Sequence, residues 1–172
     1  MSGGEFARIA KLDRLPTGAM EIEASDAELR ALARRFGLPA LERLKALIVL
    51  KPEGDRIGAS GRIAAAFTQR CAVTDEPFAN VLDEPFAVRF VPALTAASEE
   101  EEQEFASGEP DEVEYEGAAL DIGEAVAQSF GLALDPYATG PDAERGRIEA
   151  GIADEAAPTG PFAALAALKR DP

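Results

Sequence analysis

Two hydrophobic periods run along this chain, and each marks its own kind of element. Leu29, Leu32, Ala33 and Phe36 recur at helical spacing. They follow Ser25 and Glu28, the two members of a capping box, and precede Gly37, at the position where glycine ends a helix. The spacing predicts a helix over 25–37, with Arg30, Arg34 and Arg35 on its solvated flank. A second stripe is formed by Ile122, Val126, Phe130 and Ala133, with Asp121 as its N-cap. Asp135-Pro136-Tyr137 stops it, because a proline disfavours helix in the residue before it. The second predicted helix therefore covers 121–134.

Period-two alternation governs much of the remainder. Glu5 to Leu12 alternates weakly and reads as a strand, as does Ala19 to Ala24, where Met20 and Ile22 oppose Glu21 and Glu23. Leu44, Ala46, Ile48 and Leu50 alternate too, but Leu47 and Val49 are also apolar, which predicts cover on both faces of that strand. Pro52 to Asp55 is hairpin chemistry. Residues 56–70 return as a long strand, with Gly58 and Gly61 as bulges or close approaches. Residues 71–78 read as a connection, 79–91 as a third long strand, and Val113-Glu-Tyr115 as a short one. The pattern predicts an α+β fold: a twisted antiparallel sheet of about five strands with both helices on one side. A partly closed barrel is the alternative, since long strands broken by glycine can curl.

The domain is expected over 1–137. Within it, residues 98–116 carry ten acids and no base, a composition that opposes compaction and predicts a mobile loop. Residues 138–160 are rich in Gly, Pro, Ala and acid and read as a linker. The end of the chain, 161–170, reads as a short amphipathic helix. Pro161 suits its first turn, Phe162, Leu165 and Leu168 share one face, and Lys169 and Arg170 suit the helix dipole. A helix this short needs a surface to lie on. The loose tether points to a partner, although docking on its own domain is the alternative.

Composition narrows the chemistry. The 172 residues include no His and one Cys. An internal disulfide, a Ser-His-Asp or Cys-His triad and the usual zinc site are thereby excluded. The net charge is −15, divided unevenly: residues 1–73 hold 12 Lys/Arg against 9 Asp/Glu, and residues 74–172 hold 5 against 23. An acidic second half repels phosphate backbones and suits a basic protein partner. No basic leader with an apolar run and no span-length apolar stretch is present, so a cytoplasmic protein without membrane contact is expected. Glycine-rich phosphate loops are absent. Cys71 reads as a small packed residue, with Arg70 beside it as a candidate to lower its pKa. The run of acids at 99–102 lacks the spacing of a cation site. For a metal-dependent enzyme acting on RNA or nucleotides, Asp75, Glu76, Asp83 and Glu84 are the cheapest carboxylates. No catalytic constellation, metal or cofactor is expected.

Three segments carry a resemblance. Thr68-Gln-Arg-Cys71 through Pro77-Phe78 is similar to a Cys-x-x-Cys element followed by Pro-Phe. Leu120 through Asp121 to Pro136-Tyr137 is similar to an Asp-capped helix with a Leu-x-x-Pro ending. Pro161-Phe-Ala-Ala-Leu-Ala-Ala-Leu-Lys169 is close to a Pro-Phe-x-x-Leu-x-x-Leu-Lys signature. In this order they resemble the YceD-like proteins, the family of large ribosomal RNA subunit accumulation proteins, and the Asp-Pro-Tyr form resembles its alphaproteobacterial branch. Thr68 stands where many relatives have the first Cys, and Tyr137 to Asp142 where many have a His and a further Cys. Any metal site those residues form in relatives is lost here. The resemblance implies a non-enzymatic role in large-subunit assembly and 23S rRNA accumulation. The partner would be a ribosomal protein or pre-large-subunit particle. Any direct RNA contact would fall to Arg30, Arg34 and Arg35. The motif residues Cys71, Pro77, Phe78, Asp121, Pro136, Tyr137, Pro161, Phe162, Leu165, Leu168 and Lys169 become candidate partner-binding positions.

Overall fold

A computed structural model describes residues 4–93 and 110–152. Of the expected acidic loop over 98–116, residues 98–109 lie outside the described residues, as does the expected helix over 161–170, with Pro161, Phe162, Leu165, Leu168 and Lys169; residues 111–115 of that loop are instead a strand. The described residues form two compact units, one within 4–69 and 79–135, the other within 70–78 and 136–152.

In the first unit the elements follow as β1 (Ile9–Lys11), a 3-10 turn, β2 (Ala19–Glu23), α1 (Asp26–Arg35), β3 (Ala40–Glu53) and β4 (Arg56–Arg70). They continue as β5 (Pro77–Pro92), β6 (Asp111–Tyr115), β7 (Ala119–Asp121) and α2 (Ile122–Ala133). Five strands form one sheet in the order β2-β3-β4-β5-β6, and β1 pairs with β7 in a separate two-stranded sheet. The fold is α+β as expected, and the large sheet is open rather than closed into a barrel.

Three expectations are corrected. The sheet is mixed, because β6 runs parallel to β5, from Val88 opposite Asp111 to Pro92 opposite Tyr115. A parallel return needs a long crossover, and the chain between Pro92 and Asp111 has that length. Only Ile9–Lys11 of the expected strand over 5–12 is extended and paired; Leu12–Arg14 turns as 3-10 helix. Finally, β3 is buried on one face rather than two. Leu44, Ala46 and Ile48 are buried, whereas Leu47 on the opposite face is 51% exposed.

Both helices cover the buried face. Phe130 of α2 is fully buried and meets two rings edge-on, Phe36 beyond the end of α1 at 5.5 Å and Phe67 of β4 at 5.6 Å. Edge-to-face pairs add about 0.5–1.5 kcal/mol to the burial itself. Two glycines allow backbones to approach. A Cβ on Gly61 would overlap the Leu47 carbonyl across the β3–β4 ladder, so this glycine is a close approach and not a bulge. A Cβ on Gly123 would overlap the Phe6 carbonyl.

Polar contacts tie the N-terminal segment to both helices. The Asp121 carboxylate accepts from the Glu124 N–H at 3.1 Å, which caps α2, and from the Arg8 N–H at 2.9 Å. The Arg8 guanidinium donates to both oxygens of Glu28, at 2.6 and 3.0 Å, and to the Glu23 carbonyl at 2.8 Å. Glu28 in turn accepts from the N–H of the N-cap residue Ser25 at 2.8 Å. Arg35 is not on a free solvated flank: it donates to Glu124 at 2.6 and 2.9 Å and to Glu5 at 3.1 Å, joining α1 to α2. Helical spacing places Arg35 beside Arg34, but only the fold brings two distant carboxylates to it.

These contacts generate two predictions. Gly123→Ala should lower the unfolding free energy by about 1–3 kcal/mol, because a rigid backbone must move to admit one methyl. Urea unfolding measures it. Arg8→Ala should cost about 1–2 kcal/mol at neutral pH. The Arg8 hydrogen bonds hold Glu28 down from 4.5 to about 2. A depressed carboxylate contributes stability above its unfolded value and loses it as pH falls through its folded one. The gap between wild type and Arg8→Ala should therefore narrow below pH 4.5 and level off near 2, where only the Arg8 bonds to backbone carbonyls remain.

Candidate functional site

The second unit is built around Cys71. The Cys71 N–H donates to the Glu76 carbonyl at 2.9 Å, and the Cys71 carbonyl accepts from the Asp75 N–H at 2.9 Å. This tight closure places Asp75 at φ +59°, in the left-handed region that aspartate tolerates better than most residues. Arg70 donates to the Asp75 carbonyl at 2.9 Å and to its carboxylate at 3.3 Å. The Ala72 N–H donates to the Ala138 carbonyl at 3.0 Å, so the loop and the segment after Pro136 form one body. Within 138–160, expected as linker, the structure has α3 (Ala143–Glu149), with Ala143 buried.

The thiol is buried and ringed by donors. The Thr74 hydroxyl and N–H, the Gly140 N–H and the Val73 N–H, the last at 3.4 Å from Sγ, lower its pKa from 9.0 to about 7. Hydrogen bonding to the charged form is the cause. Arg70, the expected cause, is engaged by Asp75 instead. Thr74 was legible in principle as a hydroxyl three residues after the cysteine; Gly140 was not, since it comes from a distant segment. Phe78 lies against Gly140, where a Cβ would sit 3.1 Å from its ring. Thr74 likewise fills the space over Gly146.

Of the other motif residues, Pro77 opens β5 and is exposed, as are Pro136 and Tyr137 in the turn after α2. Asp121 belongs to the first unit, where it caps α2. Arg30 and Arg34 are exposed on α1. Asp83 is held by Arg62 at 2.8 Å, Asp75 by Arg70, and Glu76 and Glu84 are exposed. Among the described residues no three His, Cys, Asp or Glu side chains gather as metal ligands. No described helix is long and apolar enough to cross a membrane.

Two charged surfaces of the first unit stand out. A shallow cleft of about 410 Å³ is lined by Arg8, Lys11 and Arg14 together with Met20 and Ile122, and by no acid. At the opposite edge of the large sheet, β6 carries Asp111, Glu112 and Glu114, followed by Glu116, with no base. Glu112 is held by Arg56 at 3.4 Å and Arg89 at 3.7 Å, while Asp111, Glu114 and Glu116 are exposed.

The first unit, an open mixed sheet with two helices on one face, defines an α+β protein; the second closes around one buried thiol. Residues 59–169 match the family described as large ribosomal RNA subunit accumulation protein YceD, and the chain belongs to that family. Membership gives the chain a ribosome-related role, tied by the family's description to ribosomal RNA accumulation. The match runs from within β4 past α3 and takes in Cys71, Phe78, Asp121 and Tyr137. No curated protein and no solved structure matches the chain.

The thiol environment sets a measurable titration. Ultraviolet thiolate absorbance should rise with a midpoint near 7 in the folded protein, and Thr74→Val should move that midpoint upward. A depressed pKa stabilises the fold above the unfolded value and less below the folded one. Stability should therefore increase between about pH 7 and 9, an increase that Cys71→Ser should abolish.

Proposed function

We propose that this protein is a non-enzymatic factor in large-subunit assembly that supports 23S rRNA accumulation by engaging a basic ribosomal protein. The observation that carries the reading is the charge division within a ribosome-related family: residues 74–172 hold 23 acids against 5 bases. Such a surface repels RNA phosphates and attracts a cationic partner at long range. It also shields that partner from adventitious RNA until assembly. Candidate contact residues are the family-motif positions, including exposed Pro77, Pro136 and Tyr137 and, at the chain's end, Phe162, Leu165 and Leu168.

Affinity capture of the full chain at moderate salt tests the reading. Ribosomal proteins should remain bound after nuclease treatment and leave as salt rises. Retention of rRNA after the ribosomal proteins are stripped would overturn the protein-partner reading in favour of direct RNA contact, for which Arg30, Arg34 and the Lys11–Arg14 cleft are the cationic surfaces. A companion prediction concerns the chain's end. Truncation after Thr159 should leave the melting temperature unchanged and fail to restore 23S rRNA in a deletion strain. Early melting of the truncated protein would instead assign that segment to the core.

A further inference from the structure

The open edge of the large sheet suggests how a basic partner is held. Of the two edge strands, β2 has one carbonyl already taken, since Glu23 accepts from the Arg8 guanidinium. Among the described residues nothing pairs with the outer side of β6. The direction of its backbone groups follows from one bond: the Tyr115 carbonyl accepts from the Ala93 N–H, on the β5 side. Backbone groups alternate between the two edges of a strand. Asp111, Val113 and Tyr115 therefore face β5, and the N–H and C=O of Glu112 and Glu114 face outward. An unpaired edge of this kind is a template for one more strand.

The side chains along the edge choose which strand. Val113 packs against the core and the Tyr115 hydroxyl donates to the Asp55 carbonyl at 2.9 Å, so the strand is anchored. Glu112 is neutralised by Arg56 and Arg89. Asp111, Glu114 and Glu116 make no ion pair with any described residue, and they fringe the edge with negative charge. A second copy of β6 would set carboxylate against carboxylate, and like charges facing across strands are destabilising. The fringe that blocks self-pairing admits a lysine- or arginine-rich strand.

We propose that β6 is a strand-addition site for an extended, base-rich peptide segment, bound by main-chain hydrogen bonds to Glu112 and Glu114 and selected by Asp111, Glu114 and Glu116. This rests on the reading of a basic protein partner and names the surface that takes it.

The test uses the full chain and two synthetic peptides of alternating Lys and Val, identical except that one is N-methylated at every second residue. Methylation keeps the charge and removes ladder donors. The unmethylated peptide should bind at least about tenfold more tightly, and should protect the Glu112 and Glu114 amides from hydrogen exchange. Glu114→Pro removes one outward N–H at an edge that tolerates proline, and should weaken the unmethylated peptide at least about tenfold. If that variant melts early, the methylation contrast and the exchange data on the wild type decide alone. Equal binding of the two peptides, or binding without amide protection, would mean charge attraction only and would overturn the strand-addition site. Binding of neither peptide would overturn it as well. In each of these cases the basic-partner reading is judged separately, by the nuclease-resistant capture of ribosomal proteins.

Discussion

A charge-assisted chain of hydrogen bonds from Asp121 through Arg8 to Glu28 holds the first unit together. Each group in it does more than one thing. Asp121 caps α2 at the positive end of its dipole while accepting the Arg8 N–H. Arg8 bridges to the first turn of α1 and to the last residue of β2. The Arg8 carbonyl accepts from the Ile122 N–H, extending the β1–β7 ladder into the start of α2. Residues more than a hundred positions apart are thus fixed at one point, and the apolar face beneath them closes with Phe130 between Phe36 and Phe67. Arg35 repeats the device at the other end of α1, bonding to Glu124 in the first turn of α2. Hydrogen bonds between charged partners are stronger than neutral ones, and two such clamps set the position of both helices over the sheet.

That arrangement consumes the basic residues of the first half selectively. Arg8 and Arg35 are spent on structure, whereas Lys11, Arg14, Arg30, Arg34, Arg43 and Lys51 are among the surface cations left there. At the β6 edge the accounting is reversed: two arginines neutralise one carboxylate and leave three outward acids. The first unit therefore presents a cationic cleft and an acidic strand edge as distinct surfaces. Opposite signs kept apart leave each field intact, because an adjacent pair would neutralise itself.

What the sequence makes legible here is what local chemistry dictates. The limits of both helices follow from Ser25, Gly37, Asp121 and Pro136, since caps and stops act within a turn. The long strands follow from period-two alternation. Strand direction does not follow: Asp111–Tyr115 reads as a strand from its own residues, but whether it returns parallel or antiparallel depends on the path of the chain after Pro92. The three-residue strand β7 is too short to carry a period. Leu47 misleads for another reason, because an exposed leucine and a buried one look alike in a pattern. Within the site, Cys71 and Phe78 are legible from their motif, whereas Thr74 and Gly140 are not. Donation to a sulfur requires knowing which distant backbone arrives beside it.

The knuckle around Cys71 closes around the chain's one sulfhydryl group. A loop closed by a thiolate and several N–H groups has the same acceptor at its centre whether or not another sulfur is nearby. Here the Val73, Thr74 and Gly140 donors converge on one Sγ, while Cys71 itself closes the turn through Glu76 and Asp75. The Thr68 hydroxyl donates to Glu42 at 2.9 Å. One acceptor with several donors thus lies at the centre of a unit that backbone bonds and packing also close. Its stability is accordingly linked to the protonation of a single thiol: above its folded pKa the sulfur is an anion matched to its donors, and below it the same donors face a weak neutral acceptor. A serine would keep the volume and some acceptor strength but never carry the charge.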